Sequence, residues 1–282
     1  MPIDPKRSRL SFQKLSRELT KLTKRPAPEN VHKFRTYSRR VEAVLSEVAP
    51  KRHRNDEKLL KLLARLRKKA GKVRDLDVQI GCLRNLKAPQ ANGHKSQLMN
   101  ALLDERIQRE RKLAKAFDTK TAEEIRKRLK RSAHEISIPR NTEPLALTLS
   151  RLAHLGRGNG SLSEKTLHQY RIIGKRARYV AELDGDDPHT RQIIEQLKRM
   201  QDVIGDWHDW LKLTEKAERL LGDVRQSALV AMLRNVTQAK FRQSVQVVTE
   251  LRAGLFAGPG KREPAIAIRK SAANDESRAA VA

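Results

Sequence analysis

The scarcity of cysteine and of long apolar runs limits the classes to which this protein can belong. A single cysteine, Cys82, excludes an internal disulfide and a cysteine-based zinc cage, and it favours a reducing compartment. No apolar run approaches the ~20 residues that cross a bilayer, and the first ten residues lack the apolar core of a signal peptide. We therefore expect a soluble cytoplasmic protein without membrane insertion.

Aromatic residues and catalytic signatures are also scarce. Aromatic side chains make up 4% of the sequence, which indicates a mostly aliphatic core, and the β-branched alternation of strands is absent. Neither a Ser-His-Asp nucleophile motif nor a glycine-rich phosphate loop ending in Lys-Ser/Thr occurs. We predict a protein that is not an enzyme, with no catalytic residue, no cofactor and no metal site.

Acidic residues are the third shortage, and they leave a large positive excess. The chain has 33 Asp and Glu against 61 Lys and Arg, a formal net charge of +28. Such an excess repels itself and indicates a polyanionic partner, which is a nucleic acid, an anionic membrane or a phosphate polymer.

Part of this charge lies on helical stripes that begin with histidine. His32, Arg35 and Arg39 share one face of a predicted helix, because each residue turns about 100° around the axis. The opposite face is apolar and includes Phe34 and Val41. The helix is therefore expected to bury one side and to present cations on the other.

The stripe occurs a second time, 136 residues later, which indicates an internal duplication. The second copy consists of His168, Arg171, Lys175 and Arg178. A second landmark also repeats, because Gly71 with Arg74-Asp75 is followed 134 residues later by Gly205 with His208-Asp209. Two landmarks in the same order predict two similar helical bundles that face each other across a pseudo-twofold axis.

Apolar periodicity and helix breakers predict helices along most of the chain. The expected helices span 9–24, 29–48, 56–86 (interrupted at Gly71), 95–118, 121–135, 143–155, 162–183, 187–221 and 223–256. Expected caps are the capping boxes Thr121/Glu124 and Ser161/Glu164, together with Asp187-Pro188. We predict a frayed terminus over 1–8, one domain over 9–256 with halves at about 9–138 and 143–256, and a disordered tail over 257–282.

These motifs resemble those of the CHAD family, the conserved-histidine α-helical domain. The resemblance covers about residues 9–256 and rests on four segments: His32-x-x-Arg35-x-x-x-Arg39-Arg40, Gly71-x-x-Arg74-Asp75-Leu76-Asp77-Val78, His168-x-x-Arg171-x-x-x-Lys175-Arg176-x-Arg178 and Gly205-x-x-His208-Asp209. It implies an all-α fold of two pseudo-symmetric antiparallel four-helix bundles around a basic central groove or pore. It also implies binding of inorganic polyphosphate and association with polyphosphate granules and other granule proteins.

Two walls of the implied groove supply the candidate polyphosphate-binding residues. Arginine suits phosphate because its planar guanidinium donates two parallel hydrogen bonds, and a neighbouring polyanion favours charged histidine. The candidates are His32, Arg35, Arg39 and Arg40 on one wall, His168, Arg171, Lys175, Arg176 and Arg178 on the other, and Lys61, Arg65, Arg74, Lys198 and His208 on neighbouring helices. Glu42 departs from the family pattern, because the second repeat has Arg178 at that offset.

Several alternatives remain open at this stage. A basic stripe can be simply a solvated face, and a surface this basic is expected to bind nucleic acid weakly and nonspecifically. Stacking platforms for bases are few, namely Phe34, Tyr37, Tyr170 and Tyr179. Phe34 and Tyr170 belong to the apolar side, whereas Tyr179 could lie on the cationic side. His208-Asp209 could begin a metal site only if further ligands converged with it. Asp75, Asp77 and Asp209 are expected to orient Arg74 and neighbouring cations.

Overall fold

The chain is helical throughout the parts that the structure describes. A computed structural model describes residues 5–49, 53–87, 93–139, 142–156, 162–184, 187–225 and 227–256. Within these ranges it contains no strand, which confirms the all-α class. The helices are α1 (Pro5–Lys24), α2 (Pro28–Ala43), α3 (Arg54–Asn85), α4 (His94–Ala116), α5 (Thr119–Glu135), α6 (Pro144–Gly156), α7 (Glu164–Ala181), α8 (Pro188–Leu221) and α9 (Ala228–Phe256). None of these helices has the length and apolarity needed to cross a membrane.

Several predicted helix boundaries are corrected. Helix α1 begins at Pro5, before the predicted start at residue 9, since proline is well tolerated at a first helical position. Residues 1–4 of the predicted frayed terminus lie outside the described residues. Helix α3 passes through Gly71 without interruption. The predicted helix 29–48 ends differently, because α2 stops at Ala43 and a π-helical turn, Val44–Val48, follows it. The predicted tail over 257–282 lies outside the described residues.

The caps are also partly different from the expected ones. Asp118, and not Thr121, caps α5, because its carboxylate accepts a hydrogen bond from the Thr121 amide at 2.7 Å. Ser163 caps α7 in place of Ser161, and its hydroxyl accepts from the Thr166 amide at 3.2 Å. The prediction at Asp187 is confirmed, since its carboxylate accepts from the Thr190 amide at 2.7 Å.

The apolar faces pack into three hydrophobic clusters. The first lies among α1, α2, the first part of α3 and α5, and it contains the edge-to-face pair Phe34 and Phe117. The second lies among α6, α7, the first part of α8 and the end of α9, where Trp207 packs on Phe241. The third joins the second parts of α3 and α8 to the beginnings of α4 and α9. The pseudo-twofold relation of two four-helix bundles stays a prediction.

Helices α2 and α7 lie against each other where the two halves of the chain meet. The end of α7 reaches into the first cluster with Tyr179, Val180 and Leu183, all of which are buried. Each fully buried aliphatic side chain contributes about 1.5–3 kcal/mol of burial free energy, so this packing fixes the two histidine-bearing helices relative to each other. Helices α3 and α8 also contact each other beneath them.

Two glycines in these helices give contrasting stability predictions. A Cβ atom at Gly174 would collide with the terminal methyl group of buried Met200, so we expect Gly174→Ala to lower the free energy of unfolding by about 1–3 kcal/mol. Gly205 lies within α8, and no atom lies within 4 Å of a Cβ placed there. Gly205→Ala is therefore expected to raise the free energy of unfolding by about 0.5–1 kcal/mol. Urea unfolding followed by circular dichroism measures both changes. A neutral or stabilising Gly174→Ala would contradict the packing at Met200.

Candidate anion-binding site

Four cationic side chains converge where α2 faces α7. Arg35 and Arg39 come from α2, and Arg171 and Lys175 come from α7. Arg171, Arg39 and Arg35 all lie close enough to Lys175 to disfavour its charged form. Arg39 and Arg171 have the same effect on Arg35, and Arg39 has it on Arg171. The structure thus brings together two predicted residues from each stripe, and the region around these four side chains is called here the central groove.

The pKa values of these groups report how poorly their charges are compensated. Burial, followed by Arg171, Arg39 and Arg35, lowers the pKa of Lys175 to about 7. Burial and Arg39 lower the pKa of Arg35 to about 10, and burial also lowers the pKa of Arg171. Low local dielectric and like charges both disfavour the charged form of a base, so this cluster is a place where an added anion would be stabilised.

Two carboxylates, Asp75 of α3 and Asp209 of α8, belong to the same groove. Asp75 is solvent-exposed, yet surrounding protein atoms raise its pKa and the nearby Asp209 acts in the same direction, as expected on the floor of a groove. The cations Arg35 and Arg171 act on Asp75 in the opposite direction. Asp77 is a salt-bridge partner of a cation, as expected, but that cation is Arg106 of α4 at 2.7 Å and not Arg74.

Gly71 provides the space in which Arg35 lies. A Cβ atom at this position would collide with Arg35 Nη1, and that nitrogen donates a hydrogen bond to the Arg67 carbonyl oxygen at 3.3 Å. Gly71 is buried within an unbroken helix, so its role is a close approach and not a turn. The predicted interruption of the helix is therefore replaced by a positioning role for this glycine.

His32 and His168 each have a basic or imidazole neighbour on one of the two long helices, Arg74 of α3 beside His32 and His208 of α8 beside His168. Partial burial and the neighbouring Arg74 lower the pKa of His32. Partial burial and His208 lower the pKa of His168, and the two rings lie 6.3 Å apart between centroids. Both residues are exposed at the surface. Two ionisable side chains thus lie together at each position, His32 with Arg74 and His168 with His208.

A cavity of about 450 Å³ opens from the groove between α7 and the end of α2. Arg39, Arg171 and Lys175 line both the groove and the cavity, so the two are continuous. Its complete lining is Arg39, Glu42, Ala43, Ser46, Glu47, Arg67, Arg171, Ile172, Lys175, Arg176 and Tyr179. Its acidic members bind other cations, because Glu42 accepts from Arg67 at 2.8 Å and Glu47 pairs with Arg151 of α6.

Two predicted cations share one carboxylate of the protein itself. Arg40 Nε donates to Glu182 at 2.8 Å, and Arg178 lies 3.4 Å from the other oxygen of the same carboxylate. Glu182 therefore bridges α2 and the end of α7. Tyr179, a candidate for the cationic side, is buried, with the guanidinium of Arg178 5.1 Å from its ring centre. It is therefore not available as a stacking platform.

Of the remaining candidates, some lie near the central groove and others lie elsewhere. Arg74 and His208 are brought to the groove through their neighbours His32 and His168. Arg65 is exposed on α3, and its charge acts on Asp118 at the start of α5. Lys61 and Lys198 are exposed on α3 and α8, and neither lines the cavity.

Sequence reasoning missed two parts of the site. Arg67 lines the cavity and donates to the Ser38 hydroxyl at 3.1 Å, although it belongs to no histidine stripe. The matching contact in the second half is Gln201, whose amide donates to the Gly174 carbonyl oxygen at 2.9 Å. The offset of 134 that relates Gly71 to Gly205 also relates Arg67 to Gln201, so this pair could have been found from the repeat. The π-helical turn that carries Ser46 gave no recognisable signal.

No group of three or more metal-ligating side chains occurs among the residues that the structure describes. His208 Nδ1 lies 3.7 Å from Asp209, too far for a normal hydrogen bond. The arrangement can therefore hold an extended anion by hydrogen bonds and charge. It presents guanidinium and ammonium groups on two walls and a cavity at one end.

The comparisons with known proteins agree with this architecture. No curated protein matches the sequence. Two solved structures share the fold: the CHAD domain of the plant Ricinus communis has 19% identity and a TM-score of 0.62, with 88% of each chain covered. PptA from Streptomyces chartreusis has 15% identity and a TM-score of 0.66, with 91% of this chain and 100% of that chain covered. The CHAD domain family model matches residues 9–218, so the chain belongs to the CHAD domain family.

Proposed function

We propose that this protein binds inorganic polyphosphate in the central groove and does not hydrolyse it. The observation that carries the proposal is the convergence of Arg35, Arg39, Arg171 and Lys175, whose charges the nearby carboxylates offset only in part. Association with polyphosphate granules in the cytoplasm, and recruitment of other granule proteins there, are proposed as consequences of this binding.

The shape and charge of the groove suit a linear polyanion. Cations stand on both walls, so a chain lying between them meets donors on two sides along its length. A phosphate polymer has non-bridging oxygens at every unit, and arginine forks can engage two of them at once. Membership of a family associated with polyphosphate binding supports the same ligand.

Polyphosphate is favoured over nucleic acid by the scarcity of exposed aromatic side chains at the site. Single-strand binding usually combines a basic groove with aromatic side chains that stack on bases. Here Phe34 and Tyr170 are buried, and Tyr179 lines the cavity but is only 6% exposed. Tyr37 is half-buried, and the guanidinium of Arg40 lies 5.2 Å from its ring centre. A phosphate chain without bases needs no such platform, whereas RNA or DNA would present its bases to a surface built for phosphates.

A competition assay tests the ligand. Labelled polyphosphate is bound to the protein and challenged with RNA or single-stranded DNA at equal phosphate concentration across a salt series. We expect displacement to require at least about tenfold more nucleic acid, a difference of about 1.4 kcal/mol in binding free energy. Affinity for polyphosphate should also fall steeply with salt, because bound cations release condensed counterions.

Displacement by RNA at equal phosphate concentration would instead favour the nonspecific nucleic-acid alternative. A matched control is Lys127→Ala with Lys130→Ala, which removes two exposed lysines of α5, a helix that packs on α1 and α3. This variant should keep the polyphosphate affinity within about twofold, since exposed charges beyond a Debye length, about 10 Å at 0.1 M salt, are largely screened. Phosphate release over hours, measured by colorimetry, would overturn the non-enzymatic part of the proposal.

A further inference from the structure

We propose that the cavity between α7 and the end of α2, which is continuous with the central groove, is an oligophosphate site that receives either the end of a polyphosphate chain or a free short oligophosphate. We also propose that the carboxylate of Glu182 occupies the position at the other end of the groove that corresponds to this cavity in the repeat. This inference rests on the proposed function and divides its groove into one open end and one closed end.

The repeat identifies the two matching positions. The offset of 136 that relates His32 to His168 also relates Arg40 to Arg176 and Ser46 to Glu182. At one end, Arg40 donates to Glu182 at 2.8 Å, and Arg178 lies 3.4 Å from the same carboxylate. The two oxygens of Glu182 thus stand between two guanidinium groups, where two phosphate oxygens would bind.

The other end has the arginine without the carboxylate. Arg176 is exposed and lines the cavity, and Ser46 supplies no charge at the position that matches Glu182. Within the described residues Arg176 has no ion pair, and neither have Arg39 and Lys175, which line the same cavity. The carboxylates of this cavity pair with other cations, Glu42 with Arg67, which also lines the cavity, and Glu47 with Arg151 of α6.

The volume and charge of the cavity fit a short chain of phosphates. Its volume of about 450 Å³ lies within the range of about 300–1,000 Å³ that is typical of small-molecule pockets. A terminal phosphate group carries about 1.5–2 negative charges near pH 7, more than an internal unit of the chain, if it titrates as a phosphate monoester does. The cluster of Arg39, Arg171, Lys175 and Arg176 therefore offers the largest gain to the end of a chain.

Introducing the missing carboxylate should close the open end. We expect Ser46→Glu to weaken tripolyphosphate binding at least about tenfold in isothermal titration, whereas the neutral control Ser46→Gln should change it less than about threefold. Arg176→Ala, at an exposed position, should weaken tripolyphosphate binding to a similar extent without affecting the fold. Equal affinities of Ser46→Glu and Ser46→Gln would overturn the inference.

Removing the internal carboxylate should open the closed end. Glu182→Ser is expected to add a second tripolyphosphate site, which doubles the stoichiometry. The double variant Ser46→Glu with Glu182→Ser should return it to one site. In that background Arg40→Ala should abolish binding of tripolyphosphate and Arg176→Ala should leave it unchanged. A second site that fails to form in Glu182→Ser, with the circular dichroism spectrum intact, would contradict the closing role of Glu182.

Long polyphosphate with free or chemically blocked ends separates the two sources of the ligand. If chain ends occupy the cavity, Ser46→Glu should weaken the binding of free-ended chains and leave end-blocked chains unaffected. If the ligand is a free oligophosphate, only tripolyphosphate should respond. Should Ser46→Glu and Arg176→Ala affect neither ligand while the central groove still binds long chains, the cavity proposal fails and the proposed function stands.

Discussion

Arg35→Ala combined with Arg171→Ala is expected to weaken polyphosphate binding by about 100-fold or more while leaving the helical content unchanged. Each substitution removes a charge-assisted hydrogen-bond donor, worth about 1.5–3 kcal/mol, from the facing walls of the groove. The slope of log affinity against log salt should also decrease by about 2, because two phosphate contacts are lost. Fluorescence anisotropy with labelled polyphosphate over a salt series measures both effects.

The same double variant should not destabilise the free protein. Burial lowers the pKa of Arg35 and of Arg171, so the folded state disfavours their charged forms, and removing the charges relieves that penalty. We expect the melting temperature to stay constant or to rise by a few degrees, since 1 kcal/mol corresponds to about 2–4 °C for a domain of roughly this size. A fall in helical content would show that the pair is structural. The control Lys127→Ala with Lys130→Ala removes the same number of charges from α5.

The positions of the helices could be predicted because apolar spacing and breakers are local signals. Asp187 followed by Pro188 marked the start of α8 correctly. The two capping boxes were placed wrongly because several Ser, Thr and Asp residues compete near each helix start, and only the packed structure selects Asp118 and Ser163. The third hydrophobic cluster was not predicted, since it depends on α3 and α8 being long enough to serve two cores each.

The core of the candidate site could be predicted because it follows from helical geometry and repetition. Spacing alone put Arg35 and Arg39 on one stripe, and the repeat supplied Arg171 and Lys175 opposite them. What spacing could not provide is which cations pair with carboxylates of the protein itself. Arg40 and Arg176 are equivalent in the repeat, yet Glu182 forms an ion pair with Arg40 and not with Arg176, which lines the cavity. Such pairing depends on contacts between α2 and the end of α7, and these two segments are far apart in the sequence.

Lys175 is expected to make polyphosphate affinity fall as the pH rises above 7. In the free protein its pKa is lowered to about 7 by burial and by Arg171 on its own helix and Arg39 and Arg35 on α2, while Asp209 on α8 acts in the opposite direction. A bound polyphosphate favours the charged amine and raises this pKa. Binding therefore takes up a proton at a pH between the free and the bound pKa, and the dissociation constant should rise up to about tenfold per pH unit there.

Substitutions of Lys175 separate this titration from the other groups. Lys175→Met should weaken binding about tenfold or more at pH 7 and flatten the profile between pH 7.5 and 9, whereas Lys175→Arg should flatten the profile while retaining affinity. The histidines act at lower pH, because the pKa values of both His32 and His168 are lowered in the free protein. Titration calorimetry in two buffers of different ionisation enthalpy measures the proton uptake directly. An unchanged pH profile in Lys175→Met would contradict this assignment.

The same shift has an opposite consequence for the free protein, which provides an independent measurement. The ordinary pKa of Lys175 is 10.5 and its folded value is about 7, so the unfolded chain binds more protons between these two values. The free energy of unfolding contributed by this group therefore rises as the pH increases from 7 toward 10. Lys175→Met should remove that rise and make the free protein more stable at pH 7, while polyphosphate should stabilise the wild-type protein most at neutral pH. The cations of the site thus destabilise the free protein, and a bound anion removes this destabilisation.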